Sequence, residues 1–108
     1  MVPIYRLEET DTPKGLLGFH ITIETGTGIT GFPHPFEIRD CFNWLEHQLL
    51  RRVSTRIIIL GHLGKDINQL VEGDFDPHLV IRGIWRAWYT QSVQAKAALL
   101  RQKVSVPR

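Results

Sequence analysis

The loop at residues 61–66, with the sequence GHLGKD, carries the residue types best suited to chemistry in this chain of 108 residues. It follows an apolar run that predicts a strand, and ligands often bind where such strands end. His62 and Lys65, ahead of a predicted helix, could hold an anion. However, the spacing fits neither a P-loop nor a dinucleotide fingerprint, and Asp66 would repel a phosphate. A tight turn into a capped helix is therefore favoured, with a phosphate or nucleotide site, or a small enzyme using His62 and Lys65, as the alternatives.

The other candidate catalytic and metal-binding residues have simpler structural explanations. The five histidines lack the spacing of a zinc site, and the single Cys41 lies on an apolar helical stripe, where cysteine is usually inert. Asp74 and Asp76 are explained as a turn residue and a helix cap. The glycine-rich residues 25–28 precede no helix, so a hairpin turn is favoured over a phosphate loop. The sequence therefore predicts a protein without a catalytic residue, a metal site or a cofactor.

Residues 76–104 predict one long, basic C-terminal helix. Asp76 can accept hydrogen bonds from the first turn, and Pro77 suits the first helical position. The apolar residues share one stripe at helical spacing, which consists of Ile81, Ile84, Trp85, Trp88, Ala95 and Leu99, with Ser92 in the gap. A helix of about 28 residues spans roughly 40 Å, so its distal half is expected to extend past a small sheet.

Charge is divided unevenly between this helix and the rest of the chain. The chain has 13 basic and 11 acidic residues, a formal net charge of +2, yet all six charged residues after Asp76 are basic. The residues up to Asp76 therefore carry seven basic and eleven acidic side chains. Such asymmetry indicates a charged partner.

A binding surface is predicted on the basic side of the helix and at one tryptophan. Trp44 falls off the apolar stripe of the first helix, among polar residues, and tryptophan is enriched in interface hot spots. The alternative is that another segment of the chain covers it. The predicted contact residues are Trp44, Arg82, Arg86, Tyr89, Lys96, Leu100, Arg101 and Lys103.

Three functions compete for this surface. The favoured one is a non-enzymatic regulatory or adaptor protein that acts by protein–protein contact, through self-association into a homo-oligomer or through an acidic partner of the C-terminal helix. The first alternative is a small nucleic-acid-binding protein whose basic helix contacts phosphates. The second is an enzyme or anion-binding domain built on residues 61–66.

Alternating and helical patterns predict the elements that must position these residues. The first elements are a strand at residues 2–8, a polar turn at 9–15, a hairpin at 16–32 and a helix at 36–53. The run RIIIL at residues 56–60 is apolar on both faces, so it is placed centrally in the sheet with both faces buried. The helix before this run permits a parallel pairing with a neighbouring strand. A short helix from Asp66 and the terminal helix complete the chain.

These elements predict the α+β class, with a three- or four-stranded mixed sheet in the order β-β-β-α-β-α-α packed against helices. The length and the 43% hydrophobic content suit a single domain over residues 1–108. Neither a signal segment nor an apolar run near the roughly 20 residues of a membrane span is found, so a cytoplasmic location is expected.

Overall fold

The computed structural model describes residues 1–61 and 66–104, apart from the side chains of residues 93, 95–100 and 102–104. Within these ranges the chain is an α+β protein with a mixed sheet of six strands and two helices. The elements in chain order are β1 Ile4–Asp11, β2 Leu17–Thr25, β3 Gly28–Gly31, β4 Phe36–Glu37, α1 Ile38–Leu49, β5 Thr55–Leu60, β6 Ile67–Val71 and α2 Pro77–Val104.

The sheet has the strand order β3-β2-β1-β5-β6, and β4 also pairs with β2. β1 is parallel to β5, with Leu7 opposite Ile59, and the other pairs are antiparallel. The segment with α1 provides the crossover that a parallel pair requires. The α+β class, the hairpin of β2 and β3, and an internal position for residues 56–60 with one parallel neighbour are thus confirmed, whereas only one face of this strand is fully buried.

Both helices pack on one face of the sheet, where the core lies. β1 buries Tyr5, Leu7 and Glu9 on this face, in the alternation expected of a half-covered strand. Phe19 of β2 meets Phe42 of α1 and Trp88 of α2 edge to face, at ring-centroid distances of 5.8 and 5.3 Å. Aromatic contacts therefore join the sheet to both helices.

The sheet is larger than predicted, with six strands in the described ranges rather than three or four. One reason is that residues 67–71 form β6 and not a short helix. β6 pairs antiparallel with β5, with Gln69 opposite Ile57, and it buries Val71. This pairing satisfies backbone groups along β5 that would otherwise need water or side-chain partners.

The polar turn before β2 is shorter than predicted. β1 continues to Asp11, and the turn begins at Thr12, whose backbone N–H donates to the carbonyl of Leu16 at 2.7 Å. Gly15 has a φ of 75°, a left-handed conformation that glycine adopts without strain. Glu9 therefore belongs to a strand that faces the core, although its polarity indicated a turn.

Helix α1 is also shorter than predicted at both ends. Its first predicted turn is replaced by β4, where Phe36 pairs with Phe19 of β2. At the other end the backbone of Arg52 turns left-handed, with a φ of 59°, and its N–H donates to the carbonyl of Leu49 at 3.0 Å. This closes the helix, and Val53 becomes exposed although the stripe had placed it in the core.

The apolar stripe of α1 otherwise packs as its spacing predicts. Cys41, Phe42, Leu45 and Leu49 are buried against the sheet. Burial raises the pKa of the Cys41 thiol to about 12, because a thiolate at this position would be removed from water. Its side chain is therefore a packing group and not a nucleophile at neutral pH.

Helix α2 begins as its sequence predicts. The Asp76 carboxylate accepts a hydrogen bond from the backbone N–H of His78 at 2.9 Å, and Pro77 is the first helical residue. The helix has 28 residues and is therefore about 42 Å long. This exceeds the length of β2, which at nine residues is the longest strand and extends roughly 30 Å, so α2 is longer than the sheet.

Candidate interaction surface on helix α2

One side of α2 is fixed to the sheet by apolar packing. Ile81, Ile84, Trp88 and Ser92 are buried, and their spacing of three or four residues places them on one side of the helix. Most of the predicted stripe is therefore buried, while the side chains of Ala95 and Leu99 lie outside the described ones.

A buried carboxylate adds polar contacts to this side of α2. Glu9 of β1 is only 2% exposed, and its Oε1 accepts hydrogen bonds from Trp88 Nε1 and, at 2.9 Å, from Ser92 Oγ. A buried carboxylate is costly unless donors satisfy it. Glu9 therefore fixes both the rotation and the position of α2 on the sheet. Sequence reasoning missed it, although the alternation of Tyr5 and Leu7 points to position 9 on the buried face.

Trp85 and Tyr89 form an exposed aromatic pair beside the buried side of α2. Their rings are stacked, with centroids 5.8 Å apart and planes inclined by 25°. Trp85 is 37% exposed and Tyr89 49% exposed. The Trp85 ring also meets Phe42 at 5.1 Å and Trp88 at 5.6 Å. Trp85 was predicted on the buried stripe, but it lies at the stripe's border, where Phe42 covers only part of the ring.

Two exposed arginines lie beside this pair on the helix surface. Arg82 and Arg86 are exposed, and together with Trp85 and Tyr89 they occupy about 100° of the helix circumference. We call these four residues the basic–aromatic face. The sequence of α2 contains neither Asp nor Glu, so its own residues provide no acidic neighbour for these arginines.

Helix α1 borders the basic–aromatic face. Its Phe42 contacts Trp85, and its Glu46 lies 3.1 Å from Nδ1 of His78 in the first turn of α2. The second contact is an ion pair when the imidazole is protonated. Glu46 is thus engaged at the start of α2, about two turns before Trp85, the nearest ring of the face.

The structure changes the environment predicted for Trp44. Its side chain is half-buried, and its ring meets Tyr5 and Phe32, each at 5.4 Å, and Phe36 at 6.3 Å. The segment after β3 folds over it, which is the alternative that the sequence left open beside an exposed contact residue. Positions 42 and 44 are about 200° apart on α1, which separates Trp44 from the basic–aromatic face. A partner contact at Trp44 stays a prediction for the remaining exposed part of its ring.

The other predicted contact residues are only partly described. Arg101 is exposed and lies 12 residues beyond Tyr89, about 18 Å along the helix. The side chains of Lys96, Leu100 and Lys103 lie outside the described part of α2, and His62 and Lys65 lie outside the described residues altogether. The structure therefore brings together Arg82, Arg86 and Tyr89 and adds Trp85 to them.

A shallow cleft lies elsewhere, at the start of α1. It has a volume of about 390 Å³ and is lined by residues 12–14, residues 35–37 and Asp40. Lys14 Nζ lies 3.3 Å from a carboxylate oxygen of Glu37 within it, so charges of both signs are already present. Among residues 1–61 and 66–104, no group of three or more His, Cys, Asp or Glu side chains could hold a metal ion.

No helix in the described part of the chain is both long and apolar enough to cross a membrane. Comparisons with models of protein families, with curated proteins and with solved structures found no match to this chain. The basic–aromatic face therefore has to be interpreted from its own geometry and charge.

Proposed function

We propose that this chain is a protein-binding module that docks an acidic protein surface through the basic–aromatic face of α2. The observation that carries the proposal is the exposed stack of Trp85 and Tyr89 beside Arg82 and Arg86 on one side of α2. Tryptophan, tyrosine and arginine are the residue types most enriched in interface hot spots. All four residues lie on one helix face, within reach of a single partner surface.

The aromatic pair offers a worthwhile apolar contact. With about 200 Å² for each side chain, the exposed fractions of 37% and 49% correspond to roughly 170 Å². At about 25 cal/mol per Å², burial of this area would contribute roughly 4 kcal/mol before the costs of association. The Trp85 ring already packs against Phe42 and Trp88, and the Tyr89 ring stacks on Trp85, so little side-chain entropy is lost when a partner covers them.

Charge selects the class of partner. Arg82 and Arg86 favour carboxylates, which an arginine can bind through two parallel hydrogen bonds. A second copy presenting the same face would place arginine against arginine, which costs free energy. We favour protein over nucleic acid because the Trp85 and Tyr89 rings stack on each other, which occupies one ring surface of each that a base could use.

Partner capture followed by a quantitative measurement tests this function. The full chain is used to capture proteins from its native cell extract after nuclease treatment of the extract. Each captured protein is then identified, purified and titrated against the chain. Trp85→Ala should raise the dissociation constant about 30-fold, as expected for a hot-spot residue. Arg86→Ala should also weaken it, whereas Arg51→Ala removes the same charge from an exposed position off this face and should have little effect.

Two results would contradict the proposal. The first is a captured protein whose affinity is unchanged by Trp85→Ala. The second is tighter binding of a single-stranded oligonucleotide than of any captured protein, with an affinity that falls steeply with salt and depends on Arg82 and Arg86. That second outcome would establish the nucleic-acid alternative.

A further inference from the structure

The face of the sheet opposite the helices carries more aliphatic side chains than a solvent-exposed sheet face normally does. β5 carries aliphatic residues on both faces: Ile57 and Ile59 are buried under the helices, while Ile58 and Leu60 lie half-buried on the other face. A sheet with one face in water normally alternates apolar and polar side chains. The run RIIIL predicts burial on both faces, and the helices provide it on one. We call this other side the open face; its central residues are Ile4, Arg6, Glu8, Arg56, Ile58 and Leu60.

The strand register arranges the open face as alternating apolar and charged positions. One row crosses all five strands of the main sheet path, in the order Ile29, Glu24, Ile4, Arg56 and Leu70. Ile29 and Leu70 are 68% and 38% exposed, at the two edges. In the next row Arg6 lies beside Ile58, and in the third Glu8 lies beside Leu60. Aliphatic residues are therefore spread across the whole face between charges.

The charges on the open face are balanced in sign. Arg6 and Arg56 are basic, Glu8 and Glu24 are acidic, and Arg6 Nη2 lies 3.3 Å from Glu24 Oε2. A surface with both signs can complement itself in a twofold contact, in which each residue meets a different residue of the copy. This is the opposite of the basic–aromatic face, where the described charges have a single sign.

The area of the open face suits a weak dimer. All five strands lie side by side only opposite residues 4–6 of β1, where the sheet is roughly 19 Å wide at about 4.8 Å per strand; beyond these residues it narrows to about 10 Å. The flat area is roughly 300 Å², and side-chain relief raises the accessible area toward the low end of specific interfaces, roughly 600 Å² per partner, which is where weak contacts lie. Sheets also pack face to face at about 10 Å through interleaved side chains of this kind.

We infer that the open face is a self-association surface, and that its partner is the open face of a second copy of this chain. The inference is independent of the proposed function, because it concerns the other side of the sheet and a different partner. The contact is expected to be reversible, with a dissociation constant weaker than about 1 μM.

Charge-reversed variants test this inference by analytical ultracentrifugation over a range of concentrations. Arg56→Glu gives the open face a formal charge of −2, Glu8→Arg gives it +2, and both retain the Arg6–Glu24 ion pair. Each variant alone should dimerise at least tenfold more weakly than the wild type, because like charges meet across the twofold axis. An equimolar mixture of the two should recover association, since the opposite faces now attract. Arg86→Glu changes the charge equally on α2 and should leave dimerisation unchanged.

A second variant covers the case in which a charge reversal disturbs folding, which far-UV circular dichroism would reveal. Ile58→Thr keeps a β-branched residue in β5 and removes apolar surface from the open face, so it should also weaken the dimer. A wild-type protein that stays monomeric at about 1 mM would overturn the inference. Equal weakening by Arg56→Glu and Arg86→Glu, or a mixture that stays monomeric, would overturn it as well.

Discussion

Glu9 provides the sharpest test of how α2 is held on the sheet. Its Oε1 accepts hydrogen bonds from the Trp88 indole and the Ser92 hydroxyl, and all three side chains are buried. Glu9→Leu has a similar size but removes the acceptor, so two buried donors lose their partner at once. Each unsatisfied donor costs about 1–3 kcal/mol, so the free energy of unfolding should fall by about 2–6 kcal/mol.

Glu9→Gln is the matched control for this substitution. The glutamine carbonyl oxygen can still accept from both donors, so the loss of charge assistance to them should cost only about 1 kcal/mol. Urea unfolding followed by tryptophan fluorescence measures both variants. A double-mutant cycle with Ser92→Ala adds a second comparison, because removing the serine donor should make Glu9→Leu less costly by about 1 kcal/mol.

The reasoning about Glu9 is refuted if Glu9→Leu is as stable as Glu9→Gln. That result would mean that water or another acceptor reaches the indole N–H of Trp88 after the substitution. Additive effects of Glu9→Leu and Ser92→Ala would instead show that the hydroxyl contributes nothing through this carboxylate.

Two further predictions concern stability. The raised pKa of Cys41, about 12 against an ordinary 9.0, means that the folded protein binds the thiol proton more tightly, so stability is complete below pH 9 and falls as the pH rises toward 12. Between pH 8 and pH 10.5, the free energy of unfolding of the wild type should fall by about 2 kcal/mol more than that of Cys41→Ala, as measured by urea unfolding. Parallel pH profiles of the two proteins would contradict this. Two glycines should respond oppositely to alanine: a Cβ at Gly18 would overlap the carbonyl oxygen of Phe36, whereas Gly83 has open space around it. Thermal unfolding should show Gly18→Ala destabilised by about 1–3 kcal/mol and Gly83→Ala stabilised by about 1 kcal/mol, and similar effects at both sites would contradict this.

The parts of the fold that depend on local patterns were predicted from the sequence. The alternation around Phe19 and Ile21 predicts β2, and the stripe around Phe42 and Leu45 predicts α1. The start of α2 follows from Asp76 and Pro77 together. Each of these signals lies within one element, so no knowledge of distant neighbours is required.

The parts that were missed depend on contacts between distant residues. β6 has polar Asn68 and Gln69 at its centre, and pairing with β5 makes it a strand. The burial of Glu9 depends on donors that lie 79 and 83 residues later in the sequence. A polar residue in such a position resembles a turn residue until its partners are known.

The candidate site was likewise predicted where it depends on local patterns and missed where it depends on contacts between distant residues. Arg82, Arg86 and Tyr89 were predicted as contact residues because α2 carries basic residues and no acidic ones, and the structure brings these three together. A helical wheel could not show how much of Trp85 is left exposed by Phe42, because this depends on the packing of α1 against α2. For Trp44 the reverse holds, since Phe32 and Phe36 cover a ring that the wheel left exposed.

The two proposed surfaces differ in charge and position in a way that makes them compatible. The described charges of the basic–aromatic face have one sign, and its proposed partner is a foreign acidic protein, whereas the open face has both signs and is proposed to meet its own copy. The helices lie on the opposite side of the sheet from the open face, so a dimer formed through the sheet leaves both copies of α2 accessible. Such a dimer would present two basic–aromatic faces to an acidic partner. A partner with two matching sites would then be bound far more tightly than by one chain, because the second contact forms at a high effective concentration.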